Sequence, residues 1–405
     1  MKRYWKLMIL VPFIVLSIGT YYVSASGNNS SPLQFTKIQG DEKEMDPVVL
    51  TGQYQNEPFV IRNLDSEFLK KQSFWGWLDA RYFYNTELDE LAKENRAFMR
   101  GKKSYSSFYV DDQVIGYADV KFTQQSSRER NDFRLAVSMY DRIQKTSRSF
   151  ELNLPDSTLY YTGVEDVQVE GQTMKVMARN TKWSSGNGSS NFNDTDIHLY
   201  TVDLHKMSLI KDEILMSMAD DDHQRVDISS VNERDPIGKN SFAVFRKLVS
   251  VKSSKEPSGD YTLDHGEFIS YDYASGKLTT LQNDSVKQIL ANIENGNVIY
   301  SQGDGELNMM SETKPEQPHV VIYDLKEDRV KKELIVPAQT FQPKQSYSNI
   351  ARITDNRLYM IVDRSGAVGL KILDMDSGTI VYEGVLKKAD GSRPNNIMID
   401  NILVQ

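Results

Sequence analysis

Cysteine is absent from this 405-residue chain, and its absence excludes several kinds of chemistry. The chain has no disulfide, no thiolate metal site, no cysteine nucleophile and no cysteine that could carry a lipid. The stability of the fold must therefore come from packing and hydrogen bonding.

Histidine is scarce too, and the five histidines are far apart in the sequence, at His198, His205, His223, His265 and His319. The sequence contains no GxSxG, HExxH or Walker motif. The glycine-rich stretch 186–190 lacks the lysine of a phosphate loop, so it favours a loop between strands. The sequence therefore predicts no cofactor and no catalytic residue.

Positive charge is in deficit, since 48 lysines and arginines stand against 56 aspartates and glutamates, giving a formal net charge of −8. A nucleic-acid-binding surface needs an excess of basic residues to neutralise phosphates. We therefore expect no nucleic-acid partner.

A long apolar run occurs at the N-terminus, where the basic segment MKRYWK precedes the apolar residues 7–23. A basic end followed by such a run is typical of an export segment. Residues 1–25 are predicted to be a signal anchor in the cell membrane, or a signal peptide cleaved near Ala25 to release a secreted protein. Residues 26–46 are predicted to be a flexible linker, and the rest of the chain an extracytoplasmic domain.

What the chain does contain is a repeated pattern of short strands. Residues 288–337 comprise two apolar runs that meet at Asn295-Gly296, a polar loop, and two further runs joined by a turn after Asp324. Four strands in about 50 residues match one blade of a β-propeller.

Similar units follow one another from Tyr105 onward, and the third strand of each ends in an aspartate: Asp141, Asp203, Asp272, Asp324 and Asp374. These aspartates are candidates for metal ligands or bases. Alternatively, each carboxylate accepts hydrogen bonds from the backbone amides of a tight turn. Their recurrence at the end of a strand favours the turn.

The C-terminal residues 395–405 match the start of the fifth unit. Because unpaired strand edges are a liability, we predict that these residues pair with strands in 47–63 to form a composite blade. Residues 47–405 are thus predicted to form an all-β propeller of about six four-stranded blades, five complete and one composite.

The segments NIENGNVIYS and VVIYDLKEDRV resemble repeats of the broad bacterial β-propeller superfamily, in particular those of TolB-like and YVTN-like proteins. The resemblance covers residues 105–405 and implies a propeller fold. Such families include binding scaffolds, subunits of envelope complexes and some enzymes. The matched positions are strand and turn positions, so the resemblance implies no site residue.

Residues 64–103 interrupt the strand pattern and are predicted to form a helical insertion. Leu88, Leu91 and Phe98 share one helix face, and Gly101 stands where a helix would end. The first part of the insertion is rich in aromatic residues. We predict that these bind a partner, or else attach the insertion to the propeller: Trp75, Trp77, Tyr82 and Phe83.

The acidic run Asp220, Asp221 and Asp222 is a weak candidate for a metal site, because adjacent carboxylates repel and a divalent cation would relieve that repulsion. The run lacks the alternating oxygen donors of a calcium loop. A solvated turn between blades is the other interpretation.

Two classes of function follow from these observations. The first is an extracytoplasmic, membrane-tethered binding or regulatory module for a protein or cell-wall partner. The alternative is an exported lyase or hydrolase with a site in the central channel. Charged residues or histidines converging at the channel mouth would favour the enzyme, whereas an exposed aromatic patch would favour binding.

Overall fold

The structure is a computed structural model that describes residues 33–62, 64–68, 86–102, 104–123, 132–155, 159–182, 195–218, 223–231, 237–252, 261–292, 298–303, 305–314, 317–337, 345–364 and 367–404. Within these ranges the chain forms twenty-five β-strands, three short α-helices and two 3-10 helices. The elements that precede the first complete blade are β1 (Leu33–Gly40), η1 (Glu42–Met45), β2 (Val48–Tyr54), β3 (Glu57–Arg62), β4 (Asp65–Phe68), α1 (Thr86–Glu94), α2 (Arg96–Met99) and η2 (Tyr105–Ser107).

Five complete blades follow, and each contains four consecutive antiparallel strands. Blade 1 contains β5 (Phe108–Val110), β6 (Val114–Thr123), β7 (Asp132–Asp141) and β8 (Thr146–Asn153). Blade 2 contains β9 (Leu159–Glu170), β10 (Thr173–Lys182), β11 (Thr195–Asp203) and β12 (Ser208–Met218). Blade 3 contains β13 (Gln224–Ser230), β14 (Phe242–Lys252), β15 (Tyr261–Asp272) and β16 (Leu278–Thr280), and α3 (Asp284–Leu290) follows it. Blade 4 contains β17 (Val298–Gly303), β18 (Glu306–Lys314), β19 (Gln317–Asp324) and β20 (Arg329–Ile335). Blade 5 contains β21 (Gln345–Thr354), β22 (Arg357–Arg364), β23 (Ala367–Asp374) and β24 (Ile380–Lys388), and the last strand is β25 (Ile397–Val404).

The sixth blade is the predicted composite of the two ends of the chain. Strand β25 pairs antiparallel with β2, from Val48 opposite Val404 to Tyr54 opposite Ile397. Strands β3 and β4 complete this blade in the order β25-β2-β3-β4. The described chain is therefore an all-β propeller with five complete blades and one composite blade, as the sequence predicts.

The blades pack face to face around a central axis. Buried apolar clusters lie between blades 1 and 2, 2 and 3, 3 and 4, 4 and 5, and 5 and 6. Blades 2 to 5 are thus apolar on both faces, because successive side chains of a strand point to opposite faces. The first strands of neighbouring blades contact one another, as β17 contacts β21 and β21 contacts β25, so the first strands line the axis.

The helices of the insertion cover the face of blade 1 that points away from blade 2. Leu88, Leu91 and Phe98 are buried against Phe108 and Tyr117. The predicted burial of these side chains is confirmed, but they lie on two helices and not on one, because the chain leaves the helical conformation at Asn95. The chain leaves α2 through Gly101, whose φ of +86° is readily adopted by glycine.

Two predicted boundaries are wrong at the N-terminal side. Residues 33–46 of the expected flexible linker are ordered: β1 pairs with β24 from Leu33 opposite Lys388 to Gly40 opposite Tyr382, and η1 follows it. Asp65–Phe68, expected in the helical insertion, is the fourth strand of the composite blade. The physical reason is apolar burial, because Leu33 and Phe35 are buried and the ring of Phe68 lies 6.2 Å from that of Phe59.

The predicted strands of blade 4 also need correction. The first run of residues 288–337 belongs to α3, which begins where the side chain of Asn283 accepts a hydrogen bond from Ser285 N at 2.9 Å. Val286, Ile289 and Leu290 are buried on one side of this helix, so the apolar spacing has a helical period. The missing strand is β18, in the segment expected to be a polar loop. The predicted turn at Asn295-Gly296 lies outside the described residues.

The five repeated aspartates are turn residues. In every complete blade, one carboxylate oxygen accepts hydrogen bonds from the backbone amides two and three residues later, at 2.7–3.3 Å. The turn interpretation of Asp141, Asp203, Asp272, Asp324 and Asp374 is therefore confirmed. These turns lie at one end of the propeller, called the turn end below. The connections between second and third strands, and those between blades, lie at the opposite end, called the loop end.

Candidate functional site

A groove opens between blades 1 and 2 at the loop end, where β6 ends and β7 and β9 begin. Its volume is about 330 Å³. The groove is lined by four aromatic residues and by polar side chains on β6 and η2. We call it the aromatic groove and define it by Phe122, Phe133, Tyr160, Tyr161, Asp119 and Ser107.

Three of its aromatic side chains are strongly exposed: Phe122 is 61%, Tyr161 56% and Tyr160 47% exposed. Phe122 lies opposite the buried Phe133 in the strand ladder, with the ring centroids 6.0 Å apart. Exposed aromatic area of this extent, shared by strands of two neighbouring blades, is uncommon unless it is used in binding.

A β-bulge accounts for the exposure of two consecutive tyrosines. Leu159 pairs with Lys182 and Tyr161 pairs with Thr181, so Tyr160 is the extra residue on β9. A bulge changes the direction of a side chain that would otherwise alternate between the faces of the sheet. Tyr160 and Tyr161 are therefore both available at the groove.

The absence of a side chain at Gly163 leaves room for the ring of Tyr161. A Cβ atom on Gly163 would lie 2.8 Å from the phenolic oxygen and 3.3 Å from the ring of Tyr161. Carbon atoms do not approach side-chain atoms this closely in stable packing, so any other residue at position 163 would displace the ring. The ring of Tyr161 lies over the backbone of Gly163, two residues further along the same strand.

The polar side of the groove is held by hydrogen bonds. Asp119 accepts one from the hydroxyl of Tyr117 at 2.9 Å and one from the backbone N of Val120 at 2.8 Å. The hydroxyl of Ser106 donates to the carbonyl oxygen of Val164 at 3.0 Å. This last bond attaches the chain before β5 to the first strand of blade 2, so the groove spans two blades joined by a polar contact.

Charged side chains lie on the opposite face of blade 1, because Lys121 and Arg134 alternate with Phe122 and Phe133 along β6 and β7. Glu151 accepts hydrogen bonds from Lys121 at 2.8 Å and from Arg134 at 3.2 Å. The hydrogen bond from Lys121 is the main cause that holds the pKa of Glu151 below its usual value. Exposed ion pairs contribute little stability, so this cluster is a solvated charged surface beside the groove-lining strands.

Paired charges lie on the first two strands of blades 2 and 3. Glu165 accepts a hydrogen bond from Arg179 at 2.7 Å and another from the hydroxyl of Ser230. Arg246 lies 3.5 Å from Asp227. In the described part of the chain, no group of three or more histidine, aspartate and glutamate side chains could hold a metal ion.

A buried polar cluster joins blades 2 and 3. Asp166 accepts hydrogen bonds from Tyr273, from Gln168 and from the backbone of Val167, and Gln168 accepts one from Asn240 N at 3.0 Å. Burial raises the pKa of Asp166 to about 6, against the lowering effect of these hydrogen bonds. Asp166, Gln168 and Tyr273 are buried, so the cluster links the two blades from within.

Two of the histidines that look scattered in the sequence occupy equivalent places in their blades. His198 lies five residues before the turn residue Asp203, and His319 lies five residues before Asp324. Both are buried. His198 Nδ1 is 2.7 Å from Asp212, and His319 Nε2 is 2.6 Å from Glu333, a carboxylate on the following strand.

The site residues proposed from sequence lie elsewhere. Trp75, Trp77, Tyr82 and Phe83 are outside the described residues, as are Asp220, Asp221 and Asp222. Both proposals remain predictions. Sequence reasoning missed Phe122, Tyr160 and Tyr161, although the pair Tyr160-Tyr161 breaks strict strand alternation beside a polar loop.

Comparison with solved structures finds distant likenesses only. TolB from Acinetobacter baumannii aligns over 92% of this chain and 67% of that protein, at 10% identity and a TM-score of 0.29. AztD from Citrobacter koseri aligns over 88% and 97%, at 9% identity and a TM-score of 0.33. The β-propeller domain of the Trilobed protease from Pyrococcus furiosus aligns over 71% and 92%, at 11% identity and a TM-score of 0.26.

No protein-family model matches the chain, and no curated protein matches its sequence. Structural likeness at this level does not identify a function. The helices of the described ranges are all too short or too polar to cross a bilayer, and the apolar segment 7–23 lies outside those ranges.

Proposed function

We propose that this protein is an extracytoplasmic, membrane-tethered β-propeller that binds a protein or another component of the cell envelope through the aromatic groove. The observation that carries the proposal is the exposure of Phe122, Tyr160 and Tyr161 around one groove. Rigid aromatic side chains lose little conformational entropy on binding and supply most of the affinity at many interfaces.

The membrane tether is supported by the order of charge and hydropathy at the N-terminus. Lys2, Arg3 and Lys6 precede the apolar residues 7–23, an arrangement that keeps the first residues in the cytoplasm and exports the rest. Protease added to spheroplasts should therefore digest the propeller without lysis. Complete protection in intact spheroplasts would contradict the tether.

Photo-cross-linking in living cells tests the groove. Replacing Tyr160 by p-benzoylphenylalanine in the full chain should give cross-links, and their mass should show whether the partner is a protein, a lipid or a cell-wall glycan. The same replacement at Ile143, which is exposed at the turn end, is the matched control. Loss of two aromatic anchors should lower the cross-linking yield by about tenfold or more in a Phe122→Ala, Tyr161→Ala variant. An unchanged yield would contradict binding at the groove.

A further inference from the structure

The aromatic groove opens where the first strand of blade 1 stops short. Strand β5 pairs with β6 from Phe108 opposite Tyr117 to Val110 opposite Ile115, whereas β6 continues to Thr123. Beyond Tyr117, therefore, no described strand of blade 1 covers the edge of β6 that faces away from β7. The groove lies along this edge, between β6 and the first strand of blade 2.

Asp119 lies on this stretch of β6 and lines the groove. Its carboxylate accepts hydrogen bonds from Val120 N at 2.8 Å and from the hydroxyl of Tyr117 at 2.9 Å, one on each oxygen. Because backbone N–H groups lie in the plane of a sheet, the bond to Val120 holds the carboxylate at the strand edge. A carboxylate has about four acceptor positions, so both oxygens can accept further hydrogen bonds from a ligand.

Thr162 supplies a buried hydroxyl from the other side of the groove. It lines the groove from β9 and is 7% exposed, and no described residue forms a hydrogen bond with its Oγ1 atom. A buried polar group without a partner is costly, and native proteins leave few of them unpaired unless water or a ligand binds there. The hydroxyl of Thr162 is therefore placed to contact a ligand in the groove.

Two further buried atoms of this kind lie behind Thr162 on the same face of blade 2. Thr162 pairs with Asn180 in the strand ladder, and Asn180 pairs with Asp196. His198 lies two residues after Asp196 and so on the same face. Asn180 Nδ2 donates to the hydroxyl of Tyr200 at 2.6 Å, but no described residue forms a hydrogen bond with Asn180 Oδ1 or His198 Nε2.

Both of these atoms are hydrogen-bond acceptors. The oxygen of an amide carries no proton. The carboxylate of Asp212 lies 2.7 Å from His198 Nδ1, which places the proton of the neutral ring on Nδ1 and leaves Nε2 as an acceptor. His198 Nε2 is 3.8 Å from Asp196, which is too far for a hydrogen bond. The polar side of the groove is thus rich in acceptors, and the ligand that suits it brings several donors.

The exposed rings of Phe122, Tyr160 and Tyr161 supply the apolar side of the groove. The faces of aromatic rings carry partial negative charge, so they attract the weakly polarised C–H groups on the flat side of a pyranose ring. A sugar combines such C–H groups with several hydroxyl donors around its edge. The groove volume of about 330 Å³ is near the lower end of the range for small-ligand pockets, which suits about one or two sugar rings.

We propose that the aromatic groove binds a neutral saccharide, whose ring stacks on the exposed aromatic side chains and whose hydroxyl groups form hydrogen bonds with Asp119 and Thr162. The inference rests on the proposed function, because it names the chemical class of the envelope component that the groove holds. Among the described residues that line the groove, Asp119 has the one charged side chain. The groove should therefore reject a saccharide with an acidic group on every ring.

Calorimetric titration with defined tetrasaccharides tests the inference. The full chain is kept in a polyoxyethylene detergent, because detergents with sugar head groups would compete. The neutral probes are chitotetraose, cellotetraose and maltotetraose, and tetragalacturonate is the acidic control. At least one neutral probe should bind with a dissociation constant below about 1 mM, and about tenfold or more tightly than the acidic control. Lack of binding by all three neutral probes, or a preference for the acidic control, would overturn the inference.

Thr162→Val removes the hydroxyl and keeps the shape of the side chain. It should weaken binding of the neutral probe by about three- to tenfold, while the urea midpoint stays equal or rises, because the unpaired hydroxyl destabilises the free chain. Thr162→Ser keeps the hydroxyl and should retain most of the affinity. Thr354→Val is the matched control, since Thr354 has a buried hydroxyl without a described partner in blade 5, and it should bind the probe like the wild type. Equal binding by Thr162→Val and the wild type would contradict the proposed contact.

Comparison with cross-linking from Tyr160 separates this inference from the proposed function. If a protein or a lipid is cross-linked and no neutral tetrasaccharide binds, the groove is a binding site and the saccharide inference is wrong. If neither cross-linking nor saccharide binding occurs, both proposals fail. If a probe binds equally well to the wild type and to the Phe122→Ala, Tyr161→Ala variant, the saccharide binds elsewhere on the chain and the inference is overturned.

Discussion

The hydroxyl of Tyr273, just beyond the third strand of blade 3, donates a 2.5 Å hydrogen bond to the carboxylate of Asp166 on the first strand of blade 2. Both residues are buried. This contact joins two blades through a group that ionises near neutral pH. The stability of the propeller should consequently respond to pH at this junction.

The first prediction concerns that response. Burial raises the pKa of Asp166 to about 6 from 3.8, so the folded chain binds this proton more tightly than the unfolded chain does. The stabilisation of the folded chain that follows from this raised pKa is fully present below about pH 4, and it is lost as the pH rises through about 6. The difference corresponds to roughly 3 kcal/mol in all, of which about 1 kcal/mol should be lost between about pH 5 and about pH 8.

Asp166→Asn provides the comparison, because an amide keeps an acceptor for Tyr273 but does not titrate. Urea midpoints of both proteins at the two pH values measure the effect. The unfolding free energy of the variant, relative to the wild type, should rise with pH. Parallel pH profiles would show that Asp166 does not titrate as expected.

The second prediction concerns closure of the ring. Ile402 is buried on β25, whereas Met398 on the same strand is 55% exposed. Ile402→Ala should lower the unfolding free energy by about 2–5 kcal/mol, because it removes buried methyl groups and leaves a cavity. Met398→Ala should change it by less than about 0.5 kcal/mol.

Deletion of residues 395–405 extends the same test. The truncated chain leaves β2 and the first strand of blade 5 without their β25 neighbour, so its urea midpoint should fall well below that of Ile402→Ala. Equal midpoints for the truncated and full chains would mean that β25 does not close the ring.

The third prediction concerns the glycine under Tyr161. Gly163→Ala should move the tyrosine ring and reduce photo-cross-linking from Tyr160, while changing the unfolding free energy by less than about 1 kcal/mol, because the phenol end can shift. Gly303→Ala is the matched control, since its Cβ would meet its nearest neighbour at 3.9 Å. In a Tyr161→Ala background, Gly163→Ala should have no further effect on cross-linking. A further loss of cross-linking in the Tyr161→Ala background would show that Gly163→Ala does not act through the ring of Tyr161.

The fourth prediction concerns Trp75 and Trp77, which belong to the aromatic part of the insertion. If they anchor a partner, replacing both by alanine should weaken partner capture by more than about 2 kcal/mol. The urea midpoint should stay nearly unchanged. A large fall in the midpoint with normal capture would show instead that the tryptophans attach the insertion to the propeller.

Much of the propeller is readable from sequence because the physical signals are local and repeated. The aspartates at the ends of third strands, such as Asp203 and Asp374, mark tight turns wherever they occur. The match between residues 395–405 and the fifth unit correctly predicts a composite blade. The burial of Leu88, Leu91 and Phe98 is also readable from their spacing, although the break between the two helices at Asn95 is not.

Other features depend on contacts that a local pattern does not contain. Strand β18 carries the polar residues Asn308 and Ser311 into the interior between blades, so it resembles a loop in sequence. Strand β1 is short and mostly polar, and it is held by a partner strand far along the chain. No local sequence pattern predicts that Asp166 is buried, because its environment is formed by Tyr273 and Asn240 in another blade.

The aromatic groove was missed for a related reason. Phe122 and Tyr161 are ordinary strand residues by composition, and only the bulge at Tyr160 and the meeting of two blades expose them together. A break in alternation at a strand terminus is the sequence signal that would have pointed to them.

The pairing of β25 with β2 imposes an order of events on a newly made chain. The three outer strands of the composite blade precede the five complete blades in the sequence, and the strand that completes it follows them. Blades 1 to 5 are built from consecutive strands and can form as the chain emerges, because their contacts are local. Completing the composite blade must wait for β25 and costs the loop-closure entropy of the segment that contains all five complete blades. The unfinished blade therefore has an open strand edge for longer than any of the five complete blades.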